Sequence, residues 1–167
     1  VQPGADNTQP LGASSKRWSV GYVGSGIIST SDERQKRWRG MEDSERRAAD
    51  QRIARRILDE LGWYQFNDAV AVKGPDGARW HFGARAQRVW EIVAAEKLAP
   101  PLVEVGGQLL PDMTWTGPVA PAWLTFDCWQ ADDERVAGYI FGFRVDEIAL
   151  MLAWSLHDRL AALEDAQ

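Results

Sequence analysis

An α+β domain with a mixed or antiparallel sheet is what the sequence predicts, and three observations predict it. Apolar residues recur at helical spacing in three separated stretches. Short alternating apolar runs, bounded by Gly and Pro, lie between and after them. The 167 residues are enough for one compact domain. Apolar residues make up 45% and charged residues 26%, which are values of a globular chain rather than a disordered one.

Residues 1–16 are rich in Gly, Pro, Ser, Asn and Gln and read as a flexible tail, leaving 17–167 as a single domain. Trp18, Val20, Tyr22 and Val23 suggest a first strand that ends at Gly24-Ser25-Gly26. Residues 32–40 form a charged connection around Trp38. A helix follows, capped by Asp43 or Ser44, with Ala49, Ile53, Ile57 and Leu61 on its inner stripe. Gly62 is its expected stop, in the left-handed conformation. Ala69–Val72 and Ala78–Phe82 read as strands joined by the turn Gly74-Pro75-Asp76-Gly77. A second helix opens after Gly83, with Ala86, Val89, Trp90 and Val93 apolar, and Pro100-Pro101 prevents its continuation. Gly106-Gly107 joins Leu102–Val105 to Gln108–Leu110 in a hairpin. Trp123–Trp129 and Val136–Arg144 pair around an Asp132-Asp133-Glu134 turn. The closing helix starts near Asp146-Glu147 and buries Ile148, Leu152, Leu156 and Leu160.

Charge divides unevenly. Residues 1–97 hold 16 basic and 13 acidic side chains, net +3, and residues 98–167 hold 3 and 11, net −8. The N-terminal part alone is thus a candidate polyanion binder. No apolar run reaches the roughly 20 residues of a membrane span. The single Cys128 allows no internal disulfide, which fits a reducing compartment. The first residues carry no basic stretch followed by an apolar block, so no secretory signal is expected. Nine tryptophans are expected mainly in the core.

The chemistry is expected at Phe82-Gly83-Ala84-Arg85. A strand running into a helix through Gly leaves the first helical N–H groups free, at an end carrying roughly half a positive charge. Gly83 and Ala84 would let an anion approach the backbone, and Arg85 and Arg88 share one face beside it. Arg79 on the preceding strand supplies a third charge. His81 is the candidate acid/base, since imidazole titrates near neutrality. Glu91 is the nearby carboxylate, but neither it nor Asp68 or Asp76 belongs to a metal signature. Arg34, Arg37, Trp38, Arg39, Arg55 and Arg56 are candidate contacts to a DNA backbone, with Trp38 able to stack on a base. The simpler reading of this arginine series is a solvated helix face, because eight carboxylates between residues 32 and 60 can pair with it.

The order helix–strand–turn–strand–glycine–arginine helix resembles the ParB/sulfiredoxin fold. Its Gly-Glu-Arg-Arg-type box corresponds to Gly83-Ala84-Arg85-Ala86-Gln87-Arg88, which keeps the glycine and two arginines but lacks the glutamate. Phe82-Gly83 also matches sulfiredoxins, whose catalytic cysteine is absent here. Among small members of this fold the chain is most similar to the plasmid-encoded oncogenic-suppression (fertility-inhibition) family. That resemblance implies a DNA-binding DNase and ATPase, for which His81, Arg85 and Glu91 are the candidate catalytic residues. It implies ATP as cofactor, with Mg²⁺ as the candidate metal. Its partners would be DNA, nucleotide and a type IV secretion coupling component, in the bacterial cytoplasm or at the periphery of the inner membrane. The alternative is a non-enzymatic acidic inhibitor or adaptor that acts by protein–protein contact, which the −8 C-terminal part favours.

Overall fold

The computed structural model describes residues 4–5, 10–13, 16–17, 33–37, 43–131 and 136–166. The first strand expected at 18–23, the Gly24-Ser25-Gly26 stop, Trp38, Arg39 and the 132–134 turn lie outside the described residues.

The chain divides into two compact units, and the larger comprises Met41–Thr125 and Phe141–Gln167. Helix α1 (Ser44–Glu60) begins where Asp43 accepts a hydrogen bond from the Arg46 N–H at 2.9 Å. Its stripe Ala49, Ile53, Ala54 and Ile57 is buried. Helix α3 (Ala86–Ala95) packs against it through Val89, Trp90, Ile92 and Val93, and helix α4 (Val145–Glu164) through Ile148 and Ser155. Each fully buried aliphatic side chain of this layer stabilises the fold by about 1.5–3 kcal/mol. Trp90 meets Phe141 edge-on at 5.5 Å and donates its indole N–H to the Pro100 carbonyl at 2.8 Å.

Among the described residues the strands form three two-stranded sheets rather than one mixed sheet. Strand β1 (Gly62–Tyr64) pairs antiparallel with β2 (His81–Gly83), placing Trp63 opposite Phe82 and Tyr64 opposite His81. Strands β3 (Leu102–Val105) and β4 (Gln108–Pro111) form the expected hairpin. Gly106 and Gly107, with φ of 60° and 80°, make the two-residue turn that only such residues adopt easily. Strands β5 (Leu124–Trp129) and β6 (Gly138–Phe143) pair with each other.

The second unit comprises Val1–Gly40 and Phe126–Ile140. Its described residues include an Ala13–Lys16 bridge and a 3-10 turn at Glu33–Gln35. Phe126 lies 6.1 Å from Tyr139, and the Trp129 indole donates to the Val136 carbonyl at 2.9 Å.

Several expectations need correction. Residues 69–72 are not a strand but part of helix α2 (Asn67–Lys73), which Asp68 and Lys73 complement at its two ends. The Gly74 N–H closes that helix on the Val70 carbonyl at 2.8 Å, with Gly74 at φ 72°. Gly62 is not a left-handed stop: α1 ends at Leu61 in an extended conformation, and Gly62 opens β1. On α4, Leu156 and Leu160 are 44% and 60% exposed rather than buried.

An ion pair ties α1 to the end of α3. Arg52 reaches Glu96 at 2.7 Å. The Arg52 hydrogen bond holds the Glu96 carboxyl below its ordinary range, aided by the charges of Arg52 and Arg56 against the opposing effect of burial. A lowered folded-state value means that the contribution is present at neutral pH and is lost as pH falls through that value. Thermal melts should therefore show an acid-side loss of stability that Glu96→Gln flattens. Identical acid limbs in both proteins would refute the assignment.

Candidate functional site

The corner that the sequence singles out is formed where α1, the β1–β2 ladder and α3 converge. Arg85 is the residue preceding α3, with extended φ and ψ of −81° and 123° and no side-chain capping bond. Its guanidinium Nε donates to Glu60 Oε1 at 2.6 Å. One turn on, Arg88 Nη1 donates to Glu91 Oε2 at 2.5 Å. That bond, with the charges of Glu91 and Glu60, raises the Arg88 value above its ordinary one.

A cleft of about 450 Å³ lies here. Its lining includes three cations, Arg56, Arg85 and Arg88, and three carboxylates, Asp59, Glu60 and Glu91. The lining is therefore charge-balanced, and the two arginines expected to hold an anion already hold carboxylates. A second groove of about 380 Å³ shares Asp59, Glu60 and Arg85 and adds Trp63, Tyr64, Gly83 and Ala84. Packing does not require a glycine at Gly83, because an added Cβ would make only an ordinary contact with Tyr64 Cε1, at 3.5 Å.

The structure brings Arg85, Arg88 and Glu91 together, and Ala84 and Gly83 into the adjoining groove. It places His81 elsewhere in the chemistry: the imidazole stacks on Tyr64 at 5.6 Å and meets Phe66 at 4.9 Å. Arg79 is exposed before β2. Arg55 is exposed on α1, whereas Arg56 reaches the cleft. Arg34 and Arg37 are exposed in the other unit. The rest of the α1 arginine series is largely ion-paired: Arg46 with Asp50 at 3.0 Å, Arg52 with Glu96, and Arg47 with Asp158. Gln51 also donates to Asp158, and Arg47 lies over the Trp154 ring. Among the described residues, no group of three or more His, Cys, Asp or Glu side chains could hold a metal, and no helix is long and apolar enough to cross a membrane.

What sequence reasoning missed is an exposed aromatic ladder. Trp63, Trp80 and Phe82 are 69%, 62% and 57% exposed, with Phe66 and Tyr64 beside them. Trp63 meets Phe82 edge-on at 5.2 Å across the strands. The signal was present in Trp63-Tyr64-Gln65-Phe66 and Trp80-His81-Phe82, two aromatic runs flanking a turn. Assigning most tryptophans to the core hid it. Trp90 and Trp123 are indeed buried, but Trp63 and Trp80 are not.

With this geometry in place, the comparisons identify the class of fold. A family model described as the chaperone of endosialidase (Peptidase_S74) matches residues 31–98. The structure superposes on the carboxy-terminal domain of the bacteriophage T5 L-shaped tail fibre with its intramolecular chaperone domain. The TM-score is 0.68 at 25% identity, over 99% of this chain and 38% of that one. The crystal structure of a novel intramolecular chaperone shares the fold, with a TM-score of 0.55 at 23% identity over 79% of this chain and 99% of that one.

In sequence, the chain is similar to a tail spike protein of Escherichia virus K5, 36% identical over 96 residues. That match takes in 54% of this chain but only 13% of the spike. These findings overturn the resemblance to the ParB/sulfiredoxin fold and to the oncogenic-suppression family, and with it the DNase and ATPase activities. The physical reason is local. The supposed strand–turn–strand begins with a helix, α2, and the Gly-x-Arg box lies beside a short aromatic ladder with its arginines already paired.

Proposed function

We propose that this chain is the intramolecular chaperone segment of a phage tail fibre or tail spike, and that it acts without catalysis, by contact with the fibre portion of its own precursor. The observation that carries this reading is the superposition of 99% of the chain on the T5 tail-fibre structure that includes its chaperone domain. The aromatic ladder supports it as a contact surface. Rings such as Trp63, Trp80 and Phe82 can each bury roughly 150–250 Å² against a partner, which single scattered apolar residues cannot.

The test uses the whole precursor. Deleting the segment should leave the fibre portion insoluble, whereas the intact precursor should yield folded, protease-resistant fibre. Trp63→Ala combined with Phe82→Ala should lower that yield while the far-ultraviolet circular dichroism of the segment is kept. Native fibre from the deleted precursor, at the yield of the intact one, would rule the reading out.

A further inference from the structure

We infer that the groove beside the β1–β2 ladder is a pocket for a basic side chain, in which a lysine or arginine of the fibre portion docks. The choice of client rests on the chaperone reading above. The groove encloses about 380 Å³. Gly62 and Gly83, a cross-strand pair, both line it. Neither carries a Cβ, and one added at Gly62 would meet no atom within 4 Å. A visiting side chain can therefore lie against bare backbone. Trp63 and Tyr64 also line the groove and are 69% and 39% exposed, so two rings are open to contact.

Charge selects the occupant. Glu60 and Arg85 border the groove but neutralise each other in an ion pair. Asp59, exposed on α1, has no ion pair or hydrogen bond among the described residues. Arg56 lines the neighbouring cleft, yet no ion pair joins it to Asp59. The groove thus offers one uncompensated carboxylate beside two exposed rings, to whose faces a cation is drawn. A client carboxylate would meet Asp59 as a like charge, and a purely apolar side chain would cover Asp59 without pairing it. A lysine or arginine avoids both costs, because its stem covers the rings while its charged head reaches Asp59.

Two measurements test this. In the first, a hexa-arginine peptide is titrated into the whole chain at low salt and followed by calorimetry. Asp59→Asn and Trp63→Ala should each weaken binding about threefold, the size of one exposed ion pair or cation–π contact. Glu104→Gln removes the same charge from an exposed position on β3 and should change little. In the second, the whole precursor carries Asp59→Arg. Its yield of folded fibre should fall at least about threefold, by loss of the pair and gain of a like charge, whereas Asp59→Glu should keep the yield. Circular dichroism of the segment should stay unchanged in each variant, because Asp59 is exposed. Equal weakening by Asp59→Asn and Glu104→Gln would overturn the pocket, as would a wild-type yield from the Asp59→Arg precursor. Native fibre from a precursor lacking the segment would instead overturn the chaperone reading, and the peptide titration would then decide the pocket by itself.

Discussion

Trp90→Ala is expected to destabilise the larger unit by about 3–5 kcal/mol, the range for removing a buried aromatic side chain. Trp90 is 4% exposed, its ring packs edge-on against Phe141, and its indole N–H satisfies the Pro100 carbonyl. Truncation therefore removes apolar burial, an aromatic pair and a hydrogen bond together. Because Phe141 lies on β6 and Pro100 follows α3, the loss disconnects a strand and a connection from the helical layer at once. Chemical denaturation followed by circular dichroism reads the effect. Trp63→Ala, on a ring that is 69% exposed, is the control and should cost far less. Equal costs for the two would contradict the partition between core and surface tryptophans described above.

Ile57→Ala should cost about 2–5 kcal/mol. Ile57 is 1% exposed in the interior layer around α1, where a cavity cannot collapse without moving a whole helix. The informative comparison is Leu160→Ala at low protein concentration, which should leave the melting curve nearly unchanged. Both positions belong to helical apolar stripes in the sequence, so a large difference between them reflects packing, which periodicity does not report.

That pair also marks what the sequence could and could not reveal. The stripe of α1 was legible because Asp43 caps the helix and because the neighbouring positions are charged, leaving one face to bury. The hairpin at Gly106-Gly107 was legible because two adjacent positive φ angles require such residues. The α4 stripe was misassigned because the helix has apolar residues on more than one side, and periodicity cannot say which side meets α1. Residues 69–72 read as a strand because Ala-Val-Ala-Val satisfies a two-residue alternation. The helix wins because Asp68, Lys73 and Gly74 favour its ends, and Val72 is left 83% exposed. At the candidate site, Arg85 shares one cleft with Arg88 and the adjoining groove with Gly83. Their meaning was not legible, because Glu60 lies 25 residues from Arg85 in sequence and only the fold brings it within a hydrogen bond. The likeness to tail-fibre chaperones could not be read at all from a short degenerate box.

The route between Thr125 and Phe141 has a consequence for how such a chain can change. Trp123, Leu124 and Phe141 belong to the buried interior, and among the described residues none of the buried apolar side chains falls between 126 and 140. The Arg144 N–H bonds the Trp123 carbonyl at 2.7 Å, fastening the exit and re-entry of this excursion at its foot. An insertion between 126 and 140 would leave these buried side chains and the Arg144–Trp123 bond in place, which makes this stretch a natural grafting point.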